Sequence, residues 1–223
     1  MRLFYFLISF QVLVLHGAAA VSAFLSPGDH GTSSWKRLCT SMMRCSALDR
    51  DAKVKQVLKF AREIGPIGSL ASEEDQQKLV SMSKELVEYS DPNPSRIPLY
   101  GVHKLVYSAS EGASSGRLGP TPFHGNVKQE FRDDNVTFIN SVSFGPLEAS
   151  LRATRTIKND STNLVKFHQT TIKVFGRTLL DKEIKGGGFW KYLFVGKILD
   201  DDGTEKFVRI METPSLFVLE QPL

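Results

Sequence analysis

The chain has 223 residues, of which 41% are hydrophobic, 23% charged and 10% aromatic, a composition that excludes collagen-like, coiled-coil and wholly disordered chains. Its formal net charge is +4, but four basic residues (Arg2, Lys36, Arg37, Arg44) against one acid (Asp29) lie in residues 1–48, leaving the rest nearly neutral. The basicity belongs to the N-terminal segment and gives no ground for a nucleic-acid partner.

Arg2 precedes an apolar stretch, Leu3 to Leu15, that falls short of the roughly 20 residues a membrane-spanning helix needs. Small residues follow, ending Val21-Ser22-Ala23, a signal-peptidase pattern with cleavage between Ala23 and Phe24. An uncleaved N-terminal anchor is the competing reading. The next stretch is rich in Ser and Thr, basic, and almost free of acids, as in organelle transit peptides. This arrangement, joined at Ala23-Phe24-Leu25-Ser26-Pro27, resembles the bipartite presequences of algae with secondary plastids, which are cleaved just before a phenylalanine. The expected divisions are a signal peptide at 1–23, a transit peptide at 24–48, a helical segment at 49–92 and a β domain at 93–223. Both cysteines, Cys39 and Cys45, lie in the transit segment, so the expected mature chain has none to form disulfides. Plain secretion is the alternative, with Asn135-Val136-Thr137 and Asn159-Asp160-Ser161 as glycosylation sequons. The plastid is the expected destination.

Residues 51–64 carry Val54, Val57, Leu58, Ala61 and Ile64 at helical spacing, with Phe60 at the edge. Gly65-Pro66 ends this helix. Ser72 caps a second, whose first turn holds Glu73, Glu74 and Asp75 at the positive end of the helix dipole. Its apolar face is Leu79, Met82 and Leu86. Two readings stand for this pair: packing on the main domain, or a basic first helix lying on a membrane surface.

From Ile97 the hydrophobic period becomes two. Strands are expected at Gly101–Ser108, 123–131, 135–144, 146–157, 164–174, 189–199, 206–211 and 215–220, separated by turn-forming clusters and without intervening helices. That pattern predicts a mainly β fold, an antiparallel barrel or sandwich of about eight strands behind two short helices, and argues against a parallel βαβ sheet. Alternation puts His103, Leu105 and Tyr107 on one face of the first strand, and Phe138, Asn140, Val142 and Phe144 on one face of the third. An eight-stranded barrel either is filled by its own side chains or holds one small apolar ligand.

No catalytic constellation emerges. Gly112-Ala113-Ser114-Ser115-Gly116 matches the spacing of a nucleophile elbow, but Arg117-Leu118-Gly119-Pro120 is a poor start for the helix that motif requires. His103, His124 and His168 show no metal-ligand spacing. Gly186-Gly187-Gly188 lacks the Lys-Ser/Thr of a phosphate loop, and Glu205 comes too early after Asp200-Asp201-Asp202-Gly203 to complete a calcium loop. No metal and no cofactor are expected.

The strand motifs, taken in order, carry a resemblance. Gly101-x-x-x-Leu105-x-Tyr107-Ser108, Gly125-x-Val127-x-Gln129, Asn140-x-Val142-x-Phe144 and the closing Thr213-Pro214-Ser215-Leu216-Phe217-Val218 resemble the plastid lipid-associated protein (plastid fibrillin) family over about Ile97 to Leu219. The resemblance implies a lipocalin-like antiparallel β-barrel at thylakoids or plastoglobules that binds a carotenoid, prenylquinone or lipid without catalysis. Cavity candidates are His103, Leu105, Tyr107, Phe138, Asn140, Val142 and Phe144, with His103, Tyr107 and Asn140 orienting the ligand. The chain departs from the family at His103, where tryptophan is usual, and in the late strand, where Arg209 lacks the neighbouring aspartate. Either departure alters the expected cavity. Two other functions remain open: a structural or assembly protein of thylakoid complexes acting through its outer surface, with peripheral membrane contact, or an enzyme on an apolar substrate using His103 or Ser114.

Overall fold

The computed structural model describes residues 34–110, 112–116 and 124–223. The expected signal peptide, the Ala23–Phe24 cleavage point, the first part of the transit segment and Phe123 lie outside the described residues. Two α-helices, α1 (Ser34–Ile64) and α2 (Glu73–Glu85), precede nine strands. These are β1 (Gly101–Ser108), β2 (Asn126–Phe131), β3 (Thr137–Phe144), β4 (Leu147–Asn159), β5 (Thr162–Val174), β6 (Arg177–Glu183), β7 (Gly187–Leu199), β8 (Glu205–Thr213) and β9 (Ser215–Pro222).

All pairings between the named strands are antiparallel, in the order β4-β3-β2-β1-β9-β8-β7-β5-β6, and β4 also pairs with β5. The hydrogen bonds therefore run in a ring through eight strands. The ninth, β6, hangs on the outer half of β5, Gln169 to Val174. β5 itself divides between neighbours, because its first residues, Thr162 to Lys166, pair with β7.

The helix signals act as the sequence predicts, with one difference in extent. α1 starts at Ser34 rather than Asp51. It ends where Gly65, at a φ of 91°, takes a backbone conformation that other residues adopt only at a cost, and Pro66 follows. α2 is capped by Ser72, whose hydroxyl accepts the Asp75 amide at 3.1 Å. Both helices bury their stripes on one side of the ring. Val54, Leu58, Ala61, Leu79 and Leu86 pack on the outward-facing Phe194, Val208, Ile210, Leu216 and Val218. The apolar stripe of α1 between Val54 and Ile64 is thus spent on the sheet, as in the packing reading and unlike a helix lying free on a membrane. Two of its basic residues pair with acids of the β domain: Lys55 with Asp201, in the β7–β8 turn, at 2.7 Å and Arg62 with Glu220 at 2.5 Å. Such surface pairs contribute little by themselves, up to about 1 kcal/mol each.

A second core lies inside the ring. Phe131, Phe138, Ala153, Val165, Phe167, Trp190, Tyr192, Val195, Met211 and Leu219 point inward from seven of its strands, and Leu99, which precedes β1, packs with them. The two faces do not alternate without interruption. Register shifts occur between Leu105 and Tyr107, between Arg152 and Ala153, and between Tyr192 and Phe194. Bulges of this kind turn the following side chain to the opposite face.

Candidate functional site

The shift in β1 separates residues expected together. His103 and Leu105 face the interior, against the Phe131 and Phe207 rings and the inner core respectively. Tyr107 instead belongs to the layer beneath the helices, so close to the helix connection that a Cβ on Gly68 would sit 2.4 Å from its hydroxyl. The inward row of β3 holds as expected at Phe138, which is fully buried, and at Asn140. Along that row Val142 is buried, whereas Phe144, at the strand end, is 42% exposed.

The centre of the interior is a guanidinium. Arg209 on β8 follows the inward-facing Phe207 and precedes Met211, and none of it is exposed. Its Nη1 donates to Gln129 Oε1 on β2 at 2.5 Å, and Gln129 Nε2 donates to Asn140 Oδ1 at 2.8 Å. Its Nη2 lies 3.6 Å from the Met211 sulfur, the Tyr192 hydroxyl is a hydrogen-bonding neighbour of the group, and Nε has no partner. Three rings enclose the cation: Phe131, Trp190 and Tyr192 have centroids 4.9, 5.1 and 5.9 Å from Cζ. Burial lowers the Arg209 pKa to about 10; the Arg155 charge acts in the same direction, and the Tyr192 hydroxyl opposes it. The group remains a cation at neutral pH.

Arg155 on β4 is a second buried guanidinium, held by the Asn135 carbonyl at 2.9 Å and the Asn135 side chain at 2.6 Å. That side chain also accepts the Leu99 amide at 2.6 Å, so the amide of the first sequon is part of the framework that closes this end. Arg155 Nη1 has no partner. Among the described residues the buried polar set contains these two arginines and neither aspartate nor glutamate.

His103 completes the cluster. Its ring is fully buried, meets Phe131 edge-on at 5.4 Å, and makes no well-formed hydrogen bond at either nitrogen, with the Tyr100 backbone as a polar neighbour. Burial first, then the Arg209 charge, depress its pKa to about 3, and the hydrogen-bonding interaction with the Tyr100 backbone opposes them. The imidazole is neutral at physiological pH.

The interior is closed at one end and looser at the other. Phe131, Phe138 and Trp190 stack at centroid distances of 4.6 to 6.3 Å and form an aromatic floor. Beyond the Arg209–Gln129–Asn140 chain, inward-facing Leu105, Val127 and Leu151 are only half-buried. Of these inward-facing residues the sequence offered His103, Leu105, Phe138 and Asn140 as cavity candidates; Gln129 and Arg209 entered only through the family resemblance, and Arg155, Trp190 and Tyr192 not at all. The legible signal for Arg209 was its place in an inward apolar row, Phe207-x-Arg209-x-Met211.

The other candidates lie elsewhere. His168 is on the outer face, where its Nε2 lies 2.8 Å from Thr154 Oγ1 in a groove of about 210 Å3 with Thr137 and Arg152. Ser114 sits in a single 3-10 turn, Gly112–Ser115, its hydroxyl 2.7 Å from that of Ser110, and no α-helix follows it among the described residues. Among the described residues, then, the strand-to-helix context of a nucleophile elbow is missing. No group of three or more His, Cys, Asp or Glu among the described residues is placed to hold a metal ion. No described helix is long and apolar enough to cross a membrane. No protein-family model, curated protein or solved structure matches the chain.

Proposed function

We propose that the eight-strand ring works as a lipocalin-like barrel that binds an apolar small molecule of the carotenoid, prenylquinone or lipid class without catalysis, in a plastid, at thylakoids or plastoglobules. The observation that carries this reading is the graded interior. An aromatic floor and a few polar groups lie at depth, and apolar side chains that are only partly buried lie toward one end. Apolar ligand surface entering such a cup gains about 25 cal/mol per Å2 removed from water, and the polar groups fix orientation. The resemblance of the strand motifs to plastid lipid-associated proteins supports the same reading.

A second reading, contact through the outer surface with a membrane or a thylakoid protein, draws on the β5–β6 hairpin. Phe175 at its tip is 81% exposed, Leu179 is 69% exposed, and Lys173 and Arg177 flank the turn. Apolar residues held out in water beside basic ones suit an interfacial contact.

One experiment separates the two. The protein is isolated from its own cells without denaturation, and the small molecules that accompany it are extracted and identified by mass spectrometry. The expected result is one apolar molecule per chain, absent from a Leu105→Trp variant that stays folded, because the larger ring occupies the looser half of the interior. An empty extract, with vesicle co-sedimentation abolished by Phe175→Ser, contradicts the barrel reading and favours the surface.

A further inference from the structure

The ring encloses two guanidinium groups and no carboxylate among the described residues. A buried charge without a counter-charge is among the most unfavourable arrangements a core can hold. The ring faces around Arg209 attract its cation, but they do not accept its in-plane N–H donors. Of those donors, Nη1 is used by Gln129, Nη2 meets the weak sulfur acceptor of Met211, and Nε has no partner, while the neutral Tyr192 hydroxyl beside the group offers an acceptor but no charge. Gln129 cannot supply a charge, and its amide is already committed to Asn140. His103, against the same Phe131 ring, adds an imidazole that makes no well-formed hydrogen bond at either nitrogen. The interior thus holds a surplus of donors and positive charge, and it lacks one anionic acceptor.

We propose that Arg209, His103 and Gln129 form the binding site for the carboxylate head of an amphiphilic, fatty-acid-class ligand, whose tail lies toward Leu105, Val127 and Leu151. This rests on the reading of the ring as a ligand-holding barrel, and it adds the charge and polarity of the ligand. A carboxylate matches the planar guanidinium fork and accepts at both oxygens. A hydrocarbon tail matches the half-buried apolar rows, which a free inorganic anion would leave uncovered.

The test uses the full chain and measures displacement of an environment-sensitive dye by oleate, by methyl oleate and by inorganic phosphate. Oleate is expected to bind at least about tenfold more tightly than its methyl ester, because the ester offers no charge to the buried donors. In Arg209→Met that ratio falls toward one, while the melting temperature without ligand does not drop, since an unpaired buried cation has been replaced by an apolar side chain of similar length. Should Arg209→Met fail to fold, His103→Phe provides the second measurement, with the oleate-to-ester ratio reduced but not abolished. Equal binding of acid and ester overturns the carboxylate site and leaves the apolar binder standing. Stabilisation by phosphate without oleate binding overturns the amphiphile and identifies a small-anion site. Failure of both acid and ester to bind removes the barrel reading itself.

Discussion

Replacing Gly187 by alanine is expected to lower the stability of the fold by about 3 kcal/mol, whereas the same change at Gly188 shifts it by no more than about 0.5 kcal/mol. The two glycines are adjacent on β7 and differ in what a side chain would meet. A Cβ on Gly187 would stand 2.3 Å from the Val165 carbonyl oxygen, and one on Gly188 has nothing within 4 Å. The obstacle at Gly187 is backbone, which cannot rotate aside as a side chain can. It also falls where Gly187 opposes Lys166, in the short pairing through which β5 meets β7 and the ring closes. Urea unfolding of both variants reads the difference as a shift in midpoint at unchanged slope. Equal midpoints would mean that the β5–β7 contact is looser than the ring requires.

Acidification has the second large effect, and His103 sets it. Its folded-state pKa of about 3 lies below the 6.5 of a free histidine, so between those values the unfolded chain binds a proton that the folded chain refuses. Stability is therefore full above about pH 6.5 and falls as the pH drops toward 3, by about 1.4 kcal/mol per pH unit. Between pH 6.5 and pH 4.5 the wild type is expected to lose about 2–3 kcal/mol through this group, a loss absent from His103→Phe. The charged group that acts on it, Arg209, is itself a cation, so its charge adds to the cost of protonating the imidazole. Parallel pH profiles for the two proteins would mean that water or an anion reaches the ring.

Much of the fold was legible because its strongest signals are local. The helix stop at Gly65-Pro66, the Ser72 cap and the strand-by-strand alternation each rest on a few adjacent residues, and β1 runs Gly101–Ser108 as expected. β6 was not legible. Six of its seven residues are exposed, so Arg177-Thr178-Leu179-Leu180-Asp181-Lys182-Glu183 shows no two-residue period, and its turn uses Phe175 at a φ of 49° where asparagine or glycine is usual. The site was half legible for a different reason. Alternation finds which residues share a face until a bulge intervenes, and a one-residue bulge in β1 moved Tyr107 from the chamber to the helix layer. Arg209 was visible as an arginine in an apolar row, but that it has neither solvent nor an acid beside it is a property of eight strands together.

The account turns on whether the buried guanidinium receives a carboxylate. The most direct measurement is the 13C resonance of carboxyl-labelled oleate on the full chain, followed from about pH 8 to about pH 5, within which an interfacial fatty acid takes up its proton while one paired with a guanidinium resists it. The expected result is one saturable, slowly exchanging signal at the ionised position throughout, and recovery of titration in Arg209→Met. A bound carboxyl that titrates in the wild type as it does in a lipid bilayer would contradict the account and put the ligand on the outer surface.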